Sequence, residues 1–201
     1  MSEEKRFRRF TRLSLQELVL LAVIAAISMV VKPYVHAAFR PLVAGLNVPV
    51  GMVAGGLYMM WLVMAGHLVN KAGAVVLVAF LQGILAVILG MGGKLGPFVV
   101  ISYLMPGLAM ELLYGVLAVF WRLCRCRPWA AIAGAALANG VGTACNSLLL
   151  LGLPWPAVAA TLLPATLSGA AGGFLGHVLS RRLARALVPD TRLTPTESHP
   201  S

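Results

Sequence analysis

Between Glu17 and Asp190 the chain carries one acidic residue, Glu111, and it sits inside the apolar stretch Gly107-Leu-Ala-Met-Glu111. A run so poor in carboxylates and so rich in leucine, valine and alanine has no polar face to give to water. With 60% apolar and only 11% charged residues, the chain departs from the roughly 25% charge of soluble domains and is expected to be an integral membrane protein. In that setting an ionisable side chain is costly, so Glu111 should meet a partner, a cavity or a ligand rather than lipid.

The apolar stretches are separated by short polar or Gly/Pro-rich pieces, and they predict an all-α, six-helix transmembrane bundle. Helix 1 is expected from about Ser14 to Val31, stopping before Lys32-Pro33; Ser14 and Glu17 have capping-box spacing. A long semi-apolar connection from Lys32 to Pro49 follows, with Tyr34, His36, Phe39, Arg40 and Asn47. The remaining helices are expected over Val50–Val69, Ala72–Leu89, Pro97–Trp121, Trp129–Leu151, and from Ala157 into Arg181, Arg182 and Arg185. Each has about 18 to 30 residues, enough to cross a ~30 Å core with some tilt. The organisation is thus a basic N-terminus (1–13), a six-helix transmembrane domain (14–187) and a polar C-terminal tail (188–201).

Charge sets the orientation. With six spans, thirteen of the sixteen lysines and arginines fall on the side of the termini, and Lys32, Arg40 and Lys94 fall on the other. The basic side is expected to be cytoplasmic, so both termini face the cytoplasm. The same distribution explains the net charge of +10 without nucleic acid. No cleavable signal sequence is expected, since the apolar run after the basic start is not followed by a small-residue cleavage site with a polar start beyond it. The three cysteines lack the partners of a metal site or disulfide framework, so no metal and no cofactor is expected.

Small residues recur four apart at Ala22/Ala26, Gly51/Gly55, Gly169/Gly173 and Gly172/Gly176, a spacing that lets helices approach closely. Most should pack helices within the chain; one on helix 1 could face another subunit. Candidate site residues are polar groups at helical spacing. Tyr103, Gly107, Glu111 and Tyr114 share a stripe expected to face helix 5, and Asn139, Thr143 and Asn146 share another. Gln82 stands alone on helix 3, and Lys94 lies in the Gly-rich turn at the mouth. Such groups could converge in one pocket, or each could serve interhelical hydrogen bonding. Glu111 would be its deep end and Asn146 nearer its mouth. Catalysis is not expected: there is no phosphate-binding loop and no H-E-x-x-H, and Ser168-Gly169 lacks the setting of an intramembrane protease.

Ala22-Val-Ile-Ala-Ala26, Asn70-Lys-Ala-Gly-Ala74, the turn to Gly96-Pro97, Gly107-Leu-Ala-Met-Glu111 and Leu167-Ser-Gly-Ala-Ala171 occur in an order and spacing that resemble a known family. These are the substrate-binding S components of energy-coupling factor transporters, bacterial vitamin importers, and within them the YkoE-like thiamin or hydroxymethylpyrimidine group. The resemblance spans essentially the whole chain. It implies a non-enzymatic subunit in the bacterial plasma membrane that binds its vitamin on the outer face. A transmembrane coupling protein and two cytoplasmic ATPases would supply the energy. Ala22 and Ala26 would match the alanine motif that docks on the coupling protein, and Lys32–Pro49 the outer loop that closes over the ligand. Glu111, Asn139 and Asn146, with Tyr103, Thr143 and Lys94, would line the site. Asn146 stands where that group has an acid, and Lys94 adds positive charge, so a neutral pyrimidine or a ligand with an anionic group competes with thiamin. The rival readings are a stand-alone carrier or channel, and a small membrane enzyme acting on lipid.

Overall fold

A computed structural model describes residues 13–44, 50–91, 93–120, 127–149, 152 and 154–187. Six α-helices are present among them: α1 (Leu15–Ala44), α2 (Val50–Val69), α3 (Ala74–Ile88), α4 (Val99–Phe120), α5 (Pro128–Leu149) and α6 (Trp155–Leu187). A short 3₁₀ segment, Gly93–Phe98, precedes α4. Three stretches, Leu15–Pro41, Gly96–Ala118 and Trp155–Ala186, are long and apolar enough to cross a membrane, and Val53–Val69 and Ala74–Ile88 are shorter apolar helices. The chain is therefore a multi-pass membrane protein.

Local signals explain most helix ends. The Ser14 amide donates to Glu17 Oε2 at 2.7 Å while the Glu17 amide donates to Ser14 Oγ at 3.3 Å, the reciprocal capping expected from their spacing. Helix α2 ends where Asn70 turns left-handed at φ 46°, and α3 begins after Gly73 at φ 85°, a conformation that glycine adopts without a Cβ penalty.

One boundary differs from expectation. Helix α1 does not stop before Lys32-Pro33; it continues through Pro33 and Pro41 to Ala44. Lys-Pro is a stop signal where water can satisfy the freed backbone. In an apolar environment, leaving the helix exposes more backbone groups than the prolines remove, so the helix continues. The expected closing loop is thus mostly helix, and residues 45–49, including Asn47, lie outside the described residues.

The helices close a ring in the order α1, α3, α4, α5, α6, α2, and α2 also touches α3 and α5. The core is built from Leu21, Ile24 and Ala25 of α1, Leu62 and Val63 of α2, and Val75 and Val78 of α3. Met110 and Tyr114 of α4 and Ala131 and Ala135 of α5 complete it. Helix α6 carries two small-residue stripes, as its spacing predicts. Gly172 and Gly176 lie on the α2 backbone at Gly56 and Met60, and Gly169 and Gly173 lie on the α5 backbone at Ala135 and Ala131. Ala22 and Ala26 are different: both are exposed on the outside of α1.

The two ends of the bundle differ in chemistry. At the end holding the start of α1 and the end of α6, polar groups tie helices together. Lys71 Nζ pairs with Glu17 Oε2 at 2.6 Å. His67 Nδ1 lies 3.1 Å from Ser180 Oγ, and its ring meets that of His177 edge to face at 5.1 Å. The opposite end opens into a cavity.

Candidate functional site

The cavity has a volume of about 220 Å³ and lies among α1 to α5. That is roughly the liquid volume of seven waters, room for one small ring system. Helix α1 contributes Ser28, Lys32 and His36, three residues at steps of four and hence on one face. Helix α2 contributes Gly55, Tyr58 and Trp61, and α3 contributes Gln82. Ser102, Tyr103 and Pro106 come from α4; Asn139, Thr143, Asn146 and Ser147 come from α5.

Several of these side chains hold one another in place. Gln82 Nε2 donates to Ser28 Oγ at 2.6 Å, and Ser28 Oγ donates to the Ala25 carbonyl at 2.6 Å. Asn139 Nδ2 donates to the Ala165 carbonyl of α6 at 2.7 Å. A Cβ on Gly55 would collide with the Asn139 carboxamide, so glycine there gives the asparagine its space. Ser102 Oγ donates to Asn146 Oδ1, which joins α4 to α5 at the wall. Buried polar groups paired in this way rigidify a site and leave only chosen atoms for a ligand.

Lys32 is the cation in this lining. Its Nζ donates to Tyr103 Oη and stands 4.0 Å from the centre of the Tyr103 ring and 4.9 Å from that of Tyr58. Aromatic faces attract an ammonium group through the ring quadrupole, worth about 0.5–2 kcal/mol depending on desolvation. Tyr58 Oη is buried and has no hydrogen-bond partner among the described residues, so a donor-acceptor group remains to be engaged inside the cavity.

The sequence-predicted residues separate into groups. Tyr103, Thr143, Asn139 and Asn146 come together in the lining. Lys94 lies in the 3₁₀ segment ahead of α4, and its side chain is outside the described residues. Glu111 is not among the cavity residues: its Oε1 accepts the Gly73 amide at 3.0 Å and its Oε2 the Val75 amide at 3.3 Å, at the start of α3. The α4 stripe therefore does not point at α5 as a unit. Gly107 sits on Ala79 of α3, Glu111 holds the start of α3, and Tyr114 packs beneath Gly66 of α2 and Gly134 of α5.

Sequence reasoning missed Lys32, Tyr58, Ser28 and Ser102. For Lys32 a signal existed, since Ser28, Lys32 and His36 repeat every four residues, which marks one polar face on an otherwise apolar helix. A helix that ends before Lys32-Pro33 does not carry this repeat, so the face emerges only with the continuation of α1 to Ala44.

No curated protein matches this chain. A solved structure described as "Crystal structure of an S-component of ECF transporter" superposes with a TM-score of 0.70 at 22% identity, covering 88% of each chain. The bundle thus has the fold of an S component. Residues 16–142, well over half of the chain and reaching from α1 into α5, match the family described as "ABC-type cobalt transport system, permease component". The chain belongs to that transporter family.

Proposed function

We propose that this chain is the membrane-embedded substrate-binding (S) subunit of an energy-coupling factor importer. In this reading it spans the membrane six times with both termini in the cytoplasm, and it captures a vitamin or vitamin precursor of the thiamin/hydroxymethylpyrimidine kind at the outer face. The observation that carries the reading is the polar cavity at the bundle end remote from both the start of α1 and the end of α6. Binding, not chemistry, is its role. A transmembrane coupling protein and two cytoplasmic ATPases complete the importer.

The lining narrows the ligand. The family description names cobalt, yet among the described residues the lining holds one histidine, His36, with no cysteine or carboxylate, and no group of three such ligands occurs. Borderline divalent ions favour imidazole, thiolate and carboxylate sets, so an organic molecule suits the cavity better. Thiamin's cationic thiazolium would have to compete with Lys32 for the Tyr58 and Tyr103 faces. A neutral pyrimidine ring meets no such conflict and finds amide and hydroxyl partners in Asn139, Thr143 and Asn146.

The test is titration of the detergent-purified chain with hydroxymethylpyrimidine and with thiamin. Binding of at least one is expected, and Asn146→Ala should weaken it by about tenfold, the loss of one well-made buried hydrogen bond. Uptake into vesicles by this chain alone, without ATP or other subunits, would sink the coupled reading.

Docking has its own test. Ala22 and Ala26 are one turn apart on the exposed side of α1, flanked by exposed Val19, Val23 and Ile27. Small residues there permit close approach of a partner helix. Ala22→Trp should abolish co-purification with the coupling protein while leaving ligand affinity unchanged. Loss of both functions would instead make this face internal packing.

A further inference from the structure

Outside the inner cavity lies a second, wider space of about 810 Å³, and the two share Lys32, His36 and Tyr103. Its wall is the last third of α1, where Pro33, His36, Ala37, Arg40 and Pro41 line it. Lys32, His36 and Arg40 recur at steps of four and so form one basic stripe on α1. At 1.5 Å per residue the stripe runs about 12 Å along the helix, from the inner cavity to the rim. Neither Lys32 nor Arg40 has a carboxylate partner among the described residues, and neither space is lined by an aspartate or glutamate.

These observations do not fit charges that merely orient a helix. An orienting lysine keeps its ammonium in the aqueous or headgroup zone. Lys32 instead turns inward to Tyr103 Oη and between two tyrosine rings. One of its three N–H donors is taken by Tyr103, and the rest remain for the space it borders. A cation held in an apolar wall without a counter-charge is costly, and an arriving anion lowers that cost. The exposed Arg40 and His36 continue the same face outward, where a positive potential raises the encounter rate of an anionic solute.

We propose that the ligand of this site carries an anionic group, a carboxylate or a phosphate monoester, on a small neutral ring. The ring occupies the inner cavity against Asn139 and Asn146. The anion rests at the junction of the two spaces on Lys32 Nζ, and Arg40 guides it in from the rim. The inference deepens the proposed substrate-binding role and rests on it.

Matched probes test it: hydroxymethylpyrimidine and its phosphate monoester, and thiamin and thiamin monophosphate, each titrated into the detergent-purified full chain. Each ester should bind about tenfold more tightly than its parent alcohol, the value of one charge-assisted contact. Lys32→Gln should erase that preference. Arg40→Gln, at an exposed side chain on the rim, should reduce the preference by about threefold and flatten its dependence on salt. Parent alcohols that bind as well as their esters, or a preference that survives Lys32→Gln, would overturn this inference alone. Failure of all four to bind would overturn it together with the ligand class proposed above.

Discussion

Gly172→Leu is expected to yield no monodisperse protein after detergent extraction. Helices α2 and α6 cross with Gly172 directly on the Gly56 backbone, and a Cβ at either glycine would collide with the opposite helix, at the Gly56 carbonyl or the Ser168 carbonyl. Overpacking a core usually costs about 1–3 kcal/mol because side chains shift to absorb it. Here the obstructing atoms are backbone, so only separation of the helices relieves the clash. Separation also breaks the link through Ser168, whose Oγ accepts the Gly56 amide at 3.0 Å and donates to the Val53 carbonyl at 2.5 Å. In a bilayer no hydrophobic effect compensates for lost contact between helices, so the association depends strongly on such close approach. Gly172→Ala should give an intermediate loss of thermal stability. Gly115→Ala is the control, since nothing lies within 4 Å of its Cβ position and alanine favours helix by about 1 kcal/mol. Size-exclusion profiles and melting midpoints of the three variants decide the matter; a Gly172→Leu protein that elutes and melts like the parent would refute the account.

The same crossing shows what is legible in such a sequence. The spacing of Gly172 and Gly176, and of Gly169 and Gly173, announces two close-packing faces on one helix. Small-residue periodicity is a local signal, as are the Ser14–Glu17 box and the stop at Asn70. What periodicity does not contain is the rotation of a helix against its neighbours. Tyr103, Gly107, Glu111 and Tyr114 do share a face of α4, but that face is divided among the cavity, α3, α2 and α5. The end of α1 was illegible for another reason: Lys32-Pro33 has opposite consequences in water and in an apolar environment, and the dipeptide is the same in both. Missing that continuation hid the basic stripe from Lys32 to Arg40. Asn139, Thr143 and Asn146 were recoverable because α5 is otherwise Ala- and Gly-rich, so its polar residues stand out at helical spacing.

These placements separate two kinds of polar residue that composition treats alike. Lys32 and Asn146 border open space. Glu111 and Asn139 each satisfy backbone groups of a neighbouring helix, although Asn139 also reaches the lining. In a membrane bundle both kinds are expected to be rare and costly. Only the geometry says whether the return is ligand binding or helix anchoring, and for Glu111 it gives a result opposite in kind to that for Lys32.

Glu111→Gln is expected to lower the stability of the bundle while leaving ligand affinity intact. The first amides of α3 have no partners within their own helix. Glu111 meets that need from α4, with one carboxylate oxygen for Gly73 and the other for Val75. It also places a negative group at the positive end of the α3 dipole. Glutamine keeps the size and one acceptor oxygen but presents an amide nitrogen to the second backbone N–H, where donor faces donor. A loss of about 1–3 kcal/mol follows for one charged hydrogen bond replaced by an unsatisfied donor. Glu111→Ala removes both acceptors and should cost more than Glu111→Gln. Neither change touches the cavity, whose nearest α4 contributor is Pro106, more than one turn away. The two quantities are separable: melting midpoints report the anchoring, and titration well below the melting range reports affinity in the folded fraction. An affinity loss of about tenfold with an unchanged midpoint would be the signature of a ligand contact, and the helix-anchoring role would fall.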